Sequence, residues 1–166
     1  MSEKKIASCR TETNPALLKS FFKTHYSEKY RAVNIITRVI AVILLVAAAA
    51  AYYNGLPIAA VVICAWLGLF LIVYPSNAYR RPYKAAKNNK AVTHFEFYKD
   101  YMTERGSGST EKFKYSDIYK TIETSRYFYI YHSPDTASVV EKDNISFGTA
   151  DAIGELLKSK TKYKKK

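Results

Sequence analysis

The sequence predicts a membrane α-helical hairpin joined to an α+β domain, a small antiparallel sheet or open barrel closed by a C-terminal helix. Three observations point there. Residues 39–79 run for 41 positions without Asp, Glu, Lys or Arg. Residues 92–140 break into short alternating runs separated by Gly, Ser, Pro and Asp, the pattern of strands and turns. Residues 149–158 then return to helical spacing. At 166 residues the chain has room for one ordinary domain and a further element.

Residues 1–34 read as an N-terminal cytoplasmic segment. The stretch "KKIASCRTET", residues 4–13, suits an edge strand. A helix follows, with Asn14 as N-cap and Pro15 at the first helical position. Leu17, Leu18, Phe21, Phe22 and Tyr26 share one face, and Lys19, Lys23, Glu28 and Lys29 occupy the other. Such a helix either lies on a membrane surface or docks on the following domain. No secretory signal peptide is expected, because the first 30 residues are charged throughout and the apolar run starts late.

Residues 35–79 carry the hairpin. A crossing helix needs about 20 apolar residues at about 1.5 Å each. The run accommodates two, about 35–53 and about 58–74, joined by "NGLP". Asn54 and Gly55 tolerate positive φ, and Pro57 suits the start of a new helix. Two buried helices of a soluble protein would need a covering layer that the polar remainder cannot supply. Lys19, Lys23, Lys29, Arg31 and Arg38 precede the hairpin, and Arg80, Arg81, Lys84, Lys87 and Lys90 follow it, while the turn is uncharged. Basic flanks stay inside. The expected placement is the cell inner (plasma) membrane, multi-pass, with both termini cytoplasmic. Tyr52, Tyr53, Tyr74 and Tyr79 fall near the ends of the crossings, where aromatic rings anchor. Arg38 lies within a turn of the cytoplasmic end and can snorkel to headgroups.

Residues 80–91 form a basic juxtamembrane linker. Charge partitions sharply along the chain, whose net charge is +12. Residues 1–38 carry +5, residues 80–91 +5, residues 92–157 −4 and residues 158–166 +6. The one segment long enough to be a folded domain is acidic, which argues against nucleic acid as a partner. Cys9 and Cys64 lie outside any CxxC pattern.

Residues 92–158 read as the α+β domain. "THFEFY" alternates, "YMTER" and "TEKFKY" flank the turn signal "GSGS", and "YFYIY" is a strand with Tyr127, Tyr129 and Tyr131 on one face. The glycines do not form a phosphate cradle, since no GK[ST] follows and a strand stands where a helix should begin. A short strand falls at about 137–140. Thr149 caps the closing helix, whose apolar side is Ile153, Leu156 and Leu157. The lysine-rich tail, residues 159–166, reads either as a solvated end or as a tether to anionic lipid.

The stretch "HFEFYKDYMTERGSGSTEKFKYSDIYKTIETSRYFYIYH" resembles the YcxB-like family of bacterial membrane proteins. The "YSDI" step, the "ET…YFYIY" pair and the closing amphipathic helix carry the likeness, which extends over roughly residues 21–158. It implies a two-helix membrane hairpin followed by a cytoplasmic domain of pleckstrin-homology-like type, and it implies no particular activity.

No constellation for catalysis is visible. His25, His94 and His132 are scattered without ligand spacing. Asp117 and Glu123 are the most tempting carboxylates, and Asp117 is explained by turn formation. No enzyme activity, cofactor or metal is expected. Tyr119, Tyr127, Tyr129 and Tyr131 either fill one side of the sheet or form a partner surface. Arg38, Arg80, Arg81, Lys84, Lys164, Lys165 and Lys166 are the candidate contacts to anionic membrane lipid. The expected function is a membrane-anchored interaction or scaffold module that binds a protein partner or a second copy of itself. The alternative is a sensor of anionic lipid surfaces acting through the basic linker and the tail.

Overall fold

A computed structural model describes residues 4–73, 78–106 and 108–166. They fall into two compact units, one drawn from residues 4–14 and 89–166, the other from residues 15–88.

The second unit is helical. Helix α1 spans Pro15–Lys29, α2 Arg31–Tyr53, α3 Ile58–Val73 and α4 Arg80–Ala86. Proline does open α1, as its fixed φ and missing N–H favour. On α1, Phe21 stacks on the buried His25, with ring centroids 5.6 Å apart. α4 packs against α1. The turn between α2 and α3 follows the expected chemistry. Gly55 adopts φ +69°, the Asn54 side-chain amide donates to Ala50 O at 2.7 Å, and Leu56 N donates to Ala51 O at 3.0 Å. The two helices pack side by side with the backbones close. A Cβ added to Gly68 would lie 3.1 Å from Ala41 O and 3.0 Å from Leu45 Cγ. The outward faces are apolar and exposed, with Ile36, Ile43 and Val46 on α2 and Val62, Trp66 and Leu69 on α3.

Helix limits differ from the sequence reading in two places. α2 begins at Arg31, four residues early, so Arg38 sits two turns into the helix rather than at its end. Among the described residues only α2, with 23 residues, is long and apolar enough to cross a membrane. α3 is apolar but has 16 residues, a rise of about 24 Å against a hydrocarbon core of about 30 Å. The expected end of that helix at Tyr74 lies outside the described residues.

The first unit is α+β. Its strands are β1 (Ala7–Glu12), β2 (Val92–Phe97), β3 (Tyr101–Arg105), β4 (Thr110–Lys114), β5 (Lys120–Glu123), β6 (Tyr127–Tyr131), β7 (Ala137–Glu141), β8 (Ile145–Phe147) and β9 (Tyr163–Lys165), with α5 over Ala150–Lys160. They form two sheets, of order β4-β3-β2-β1-β8 and β7-β6-β5-β9, and no closed barrel. All pairings are antiparallel except β5 with β9.

Residues 4–13 were expected at a sheet edge, and β1 is instead interior. It pairs with β2 over six positions, from Ala7↔Phe97 to Glu12↔Val92, and with β8 on its other side. One face of it packs inward, with Ala7, Cys9 and Thr11 buried while Arg10 and Glu12 are exposed. The strand and the amphipathic helix that follows it thus belong to different compact units. Of the "GSGS" turn between β3 and β4, Ser107 lies outside the described residues, and Gly106 N donates to Ser109 O at 3.1 Å.

The core lies between the sheets and under α5. Phe95, Phe97, Met102, Phe128, Ile130 and Val140 meet Ile153 and Leu157 there. α5 is capped as expected, with Thr149 Oγ1 accepting from Ala152 N at 3.1 Å. At the corner between the sheets Cys9 Sγ donates to Glu141 O at 3.1 Å. Burial pushes this thiol's pKa up, so it is held protonated and inert.

Candidate functional site

The four tyrosines do not form an outer surface. Tyr127, Tyr129 and Tyr131 are buried, as is every residue of β6. β6 is an inner strand of its sheet, paired with β7 on one side and β5 on the other. Tyr119 is the exposed member, at 46%. It touches β6 through its backbone, donating N–H to Tyr131 O at 2.8 Å, and Lys120 Nζ lies 5.5 Å from the Tyr119 ring and 4.8 Å from that of Tyr131.

The basic residues separate into three places. Arg38 is exposed on α2. Arg80, Arg81 and Lys84 are exposed on α4. Lys164 and Lys165 lie in β9, and Lys166 follows it. The tail is therefore a strand on sheet β7-β6-β5-β9 rather than a loose end.

What holds that strand is Glu123, on β5, whose side chain is only 12% exposed. Its Oε1 accepts from Lys142 Nζ at 2.5 Å. Its Oε2 accepts from the Tyr163 hydroxyl and lies 3.9 Å from Lys165 Nζ. Burial pushes the Glu123 carboxyl upward, but the hydrogen bonds from Lys142 and Tyr163 and the nearby lysine charges outweigh it and hold the group below its ordinary value. Tyr163 is correspondingly raised by burial and by the carboxylate. Beside this network a cleft opens between β9 and α5, lined by Ala150, Asp151, Gly154, Glu155 and Lys158 along with Glu123, Tyr163 and Lys165. Its charges of both signs and its saturated carboxylate suit binding rather than bond-making.

A second polar cluster joins the two sheets. The Ser138 hydroxyl, on β7, donates to Glu104 Oε2 on β3 and lies 2.7 Å from His132 Nε2 at the end of β6. Phe113 on β4 stacks on the imidazole, with centroids 3.9 Å apart. The residue types are those of a hydrolytic triad, but the geometry is not. Acid and base grip the same hydroxyl, Glu104 Oε2 lies 3.9 Å from Nε2, and Ser138 is 7% exposed. Desolvation raises the Glu104 pKa and lowers that of His132. The cluster fastens one sheet to the other. Among the described residues no three His, Cys, Asp or Glu side chains converge as a metal site.

Sequence reasoning singled out Glu123 and His132 but not their partners, which lie on other elements. Lys142 is 19 residues from Glu123, Tyr163 is 40, and Glu104 is 34 from Ser138. The motif-free spacing left no signal for these pairings.

Residues 97–158 match the family model described as YcxB-like protein. The match begins at the last residue of β2 and ends within α5, so it leaves out β1, the helical unit and β9. No curated protein and no solved structure matches the chain.

Proposed function

We propose that this chain is a membrane-anchored interaction module, in which α2 and α3 cross the inner membrane as a hairpin and the α+β domain binds a protein partner at the cytoplasmic face. The observation that carries the topology is the pairing of β1 with β2. These strands flank the helical unit in sequence and share one ladder, so the chain leaves and returns on the same side of any membrane it enters. That requires an even number of crossings. A crossing by α2 therefore calls for a return through α3, despite its length. Exposed apolar side chains all round the pair favour lipid as the surrounding solvent, because patches of this size are not left to water. Basic residues on both flanks and none in the turn favour the cytoplasm for the domain. Two sheets closed by α5 suit a pleckstrin-homology-like domain.

The partner surface in this reading is the β4 edge of the five-stranded sheet together with Tyr119. Thr110, Glu111, Lys112 and Lys114 are exposed along that edge, where an extended segment can add as a further strand. Photo-crosslinkers at Thr110 and Tyr119 in the full chain should capture one stoichiometric protein from native membranes, while one at Ser159 should not. Absence of capture from both positions refutes the surface. Alkaline phosphatase fused at Gly55 should be active and at Lys166 inactive; the reverse refutes the orientation.

A second reading, a sensor of anionic lipid, is favoured by the exposure of Arg80, Arg81 and Lys84 along one short helix. Binding of this kind weakens steeply with salt, whereas an edge-strand interface does not.

A further inference from the structure

Two arginines and a histidine line up across one face of the five-stranded sheet. Arg10 on β1 stands directly opposite His94 on β2, and His94 stands directly opposite Arg105 on β3. Opposed residues of antiparallel strands share a face. All three are exposed, while their sequence neighbours Cys9, Thr11 and Phe95 are buried. Strands lie about 4.8 Å apart, so the two arginine backbones are about 10 Å apart with the imidazole between them. The acids on this face do not offset these charges. Glu96 is taken by Lys5 Nζ at 2.5 Å and by the Tyr98 hydroxyl at 2.8 Å. Among the described residues neither arginine forms an ion pair. Thr110, opposite Arg105 on β4, accepts from Arg105 Nε at 3.3 Å, which steadies that guanidinium and leaves both Nη groups for another acceptor. At the other end of the row, Arg10 borders a cleft of about 410 Å³ lined also by Glu12, Asn144, Ile145 and Ser146.

We propose that Arg10, His94 and Arg105 form a binding site for a phosphate group, with the cleft beside Arg10 taking the hydroxylated part of the same molecule. Guanidinium forks grip phosphate oxygens through paired, charge-assisted hydrogen bonds, and a neutral imidazole supplies one N–H between them. A phosphate monoester carries about −1.5 to −2 charges at neutral pH, which matches two uncompensated arginines. Glu12, Asn144 and Ser146 offer the cleft's share of donors and acceptors for hydroxyl groups. The site needs neither the protein partner at the β4 edge nor the lipid contacts on α4.

The test is NMR on the full chain in neutral detergent, isotope-labelled at histidine and titrated with glycerophosphate at constant pH. The His94 signals, assigned by their loss in His94→Gln, should move along a saturable curve, while those of His25 and His132 stay in place. Sodium chloride at matched ionic strength should move none of them. Arg10→Gln and Arg105→Gln should each weaken binding about tenfold or more. Arg105→Lys, which keeps the charge and loses the fork, should weaken it as well. Arg126→Gln, between β5 and β6 on the other sheet, should bind as the parent chain does. Melting unchanged or raised in the arginine variants, as removal of a like-charge neighbour predicts, shows that the fold is intact. Short-chain phosphatidic acid mixed into the micelles separates the two sources of phosphate. A response to free glycerophosphate assigns a soluble ester, and a response to the lipid alone assigns a headgroup. His94 signals that ignore both, a response that sodium chloride reproduces, or undiminished binding in Arg10→Gln or Arg105→Lys overturns the proposal.

Discussion

Replacing Gly148 by alanine tests the interior place of β1 directly. Gly148 sits between β8 and α5 at φ +80°. A Cβ there would stand 2.6 Å from Ile6 O, 2.8 Å from the Ala7 Cβ and 3.0 Å from the Ala7 Cα. Those are backbone and first side-chain atoms of a strand held on both sides by ladders, so they cannot swing away. Two costs combine. A left-handed backbone costs a non-glycine residue about 1–2 kcal/mol. Crowding a packed position adds about 1–3 kcal/mol. Gly148→Ala should therefore destabilise the α+β unit by about 2–5 kcal/mol, and at about 4–8 °C per kcal/mol for a domain of this size the melting shift is large. Gly108→Ala is the matched control, since Gly108 has φ +104° with nothing within 4 Å of its Cβ position and should carry the backbone cost alone. Thermal unfolding followed by exchange at β2 and β6 amides gives both numbers. If the two variants melt together, β1 does not lie against Gly148 and the five-strand order is wrong.

Other outcomes follow from named contacts. Phe128→Ala removes a fully buried ring from beneath α5 and should cost about 3–5 kcal/mol, read by the same melts. Thr149→Ala removes the helix cap and should cost about 1 kcal/mol, visible as faster exchange in the first turn of α5 before any global change. The Glu123 carboxyl lies below its ordinary value of 4.5 in the folded domain, so its ionised form stabilises the fold above that pH, and the contribution disappears as pH falls through the folded value. Lys142→Met should move that loss to higher pH, and an acid melting series with unchanged midpoints would refute the pairing.

The helix pair was legible because its signals are local. An uncharged run, an Asn-Gly step and a proline are read within a few residues, and α2 ends at Tyr53 as they predict. Thr149 and the strands β2 to β7 were legible for the same reason. The alternation of Tyr127, Tyr129 and Tyr131 tells which residues share a face, but a period of two says nothing about what covers that face. β9 was hidden by composition. Six lysines in nine residues read as a solvated end or a lipid tether, while the residues that order the strand, Thr121 to Glu123 on β5, lie about 40 positions away in sequence. The interior place of β1 was hidden by distance, because Glu12 meets Val92 across the entire helical unit.

That long separation bears on how the domain comes together. Joining Glu12 to Val92 through a structureless loop of about 80 residues would cost about 2.7 kcal/mol more in closure entropy than a four-residue hairpin. α2 and α3 are packed on each other about a tight turn, so the chain comes back toward its point of departure before either strand has met its partner. The helical pair therefore acts as a ready-made bend that shortens the effective loop. It also sets a sequence of events during synthesis: β1 leaves the ribosome first and waits unpaired, and the five-stranded sheet can close only after both helices have emerged.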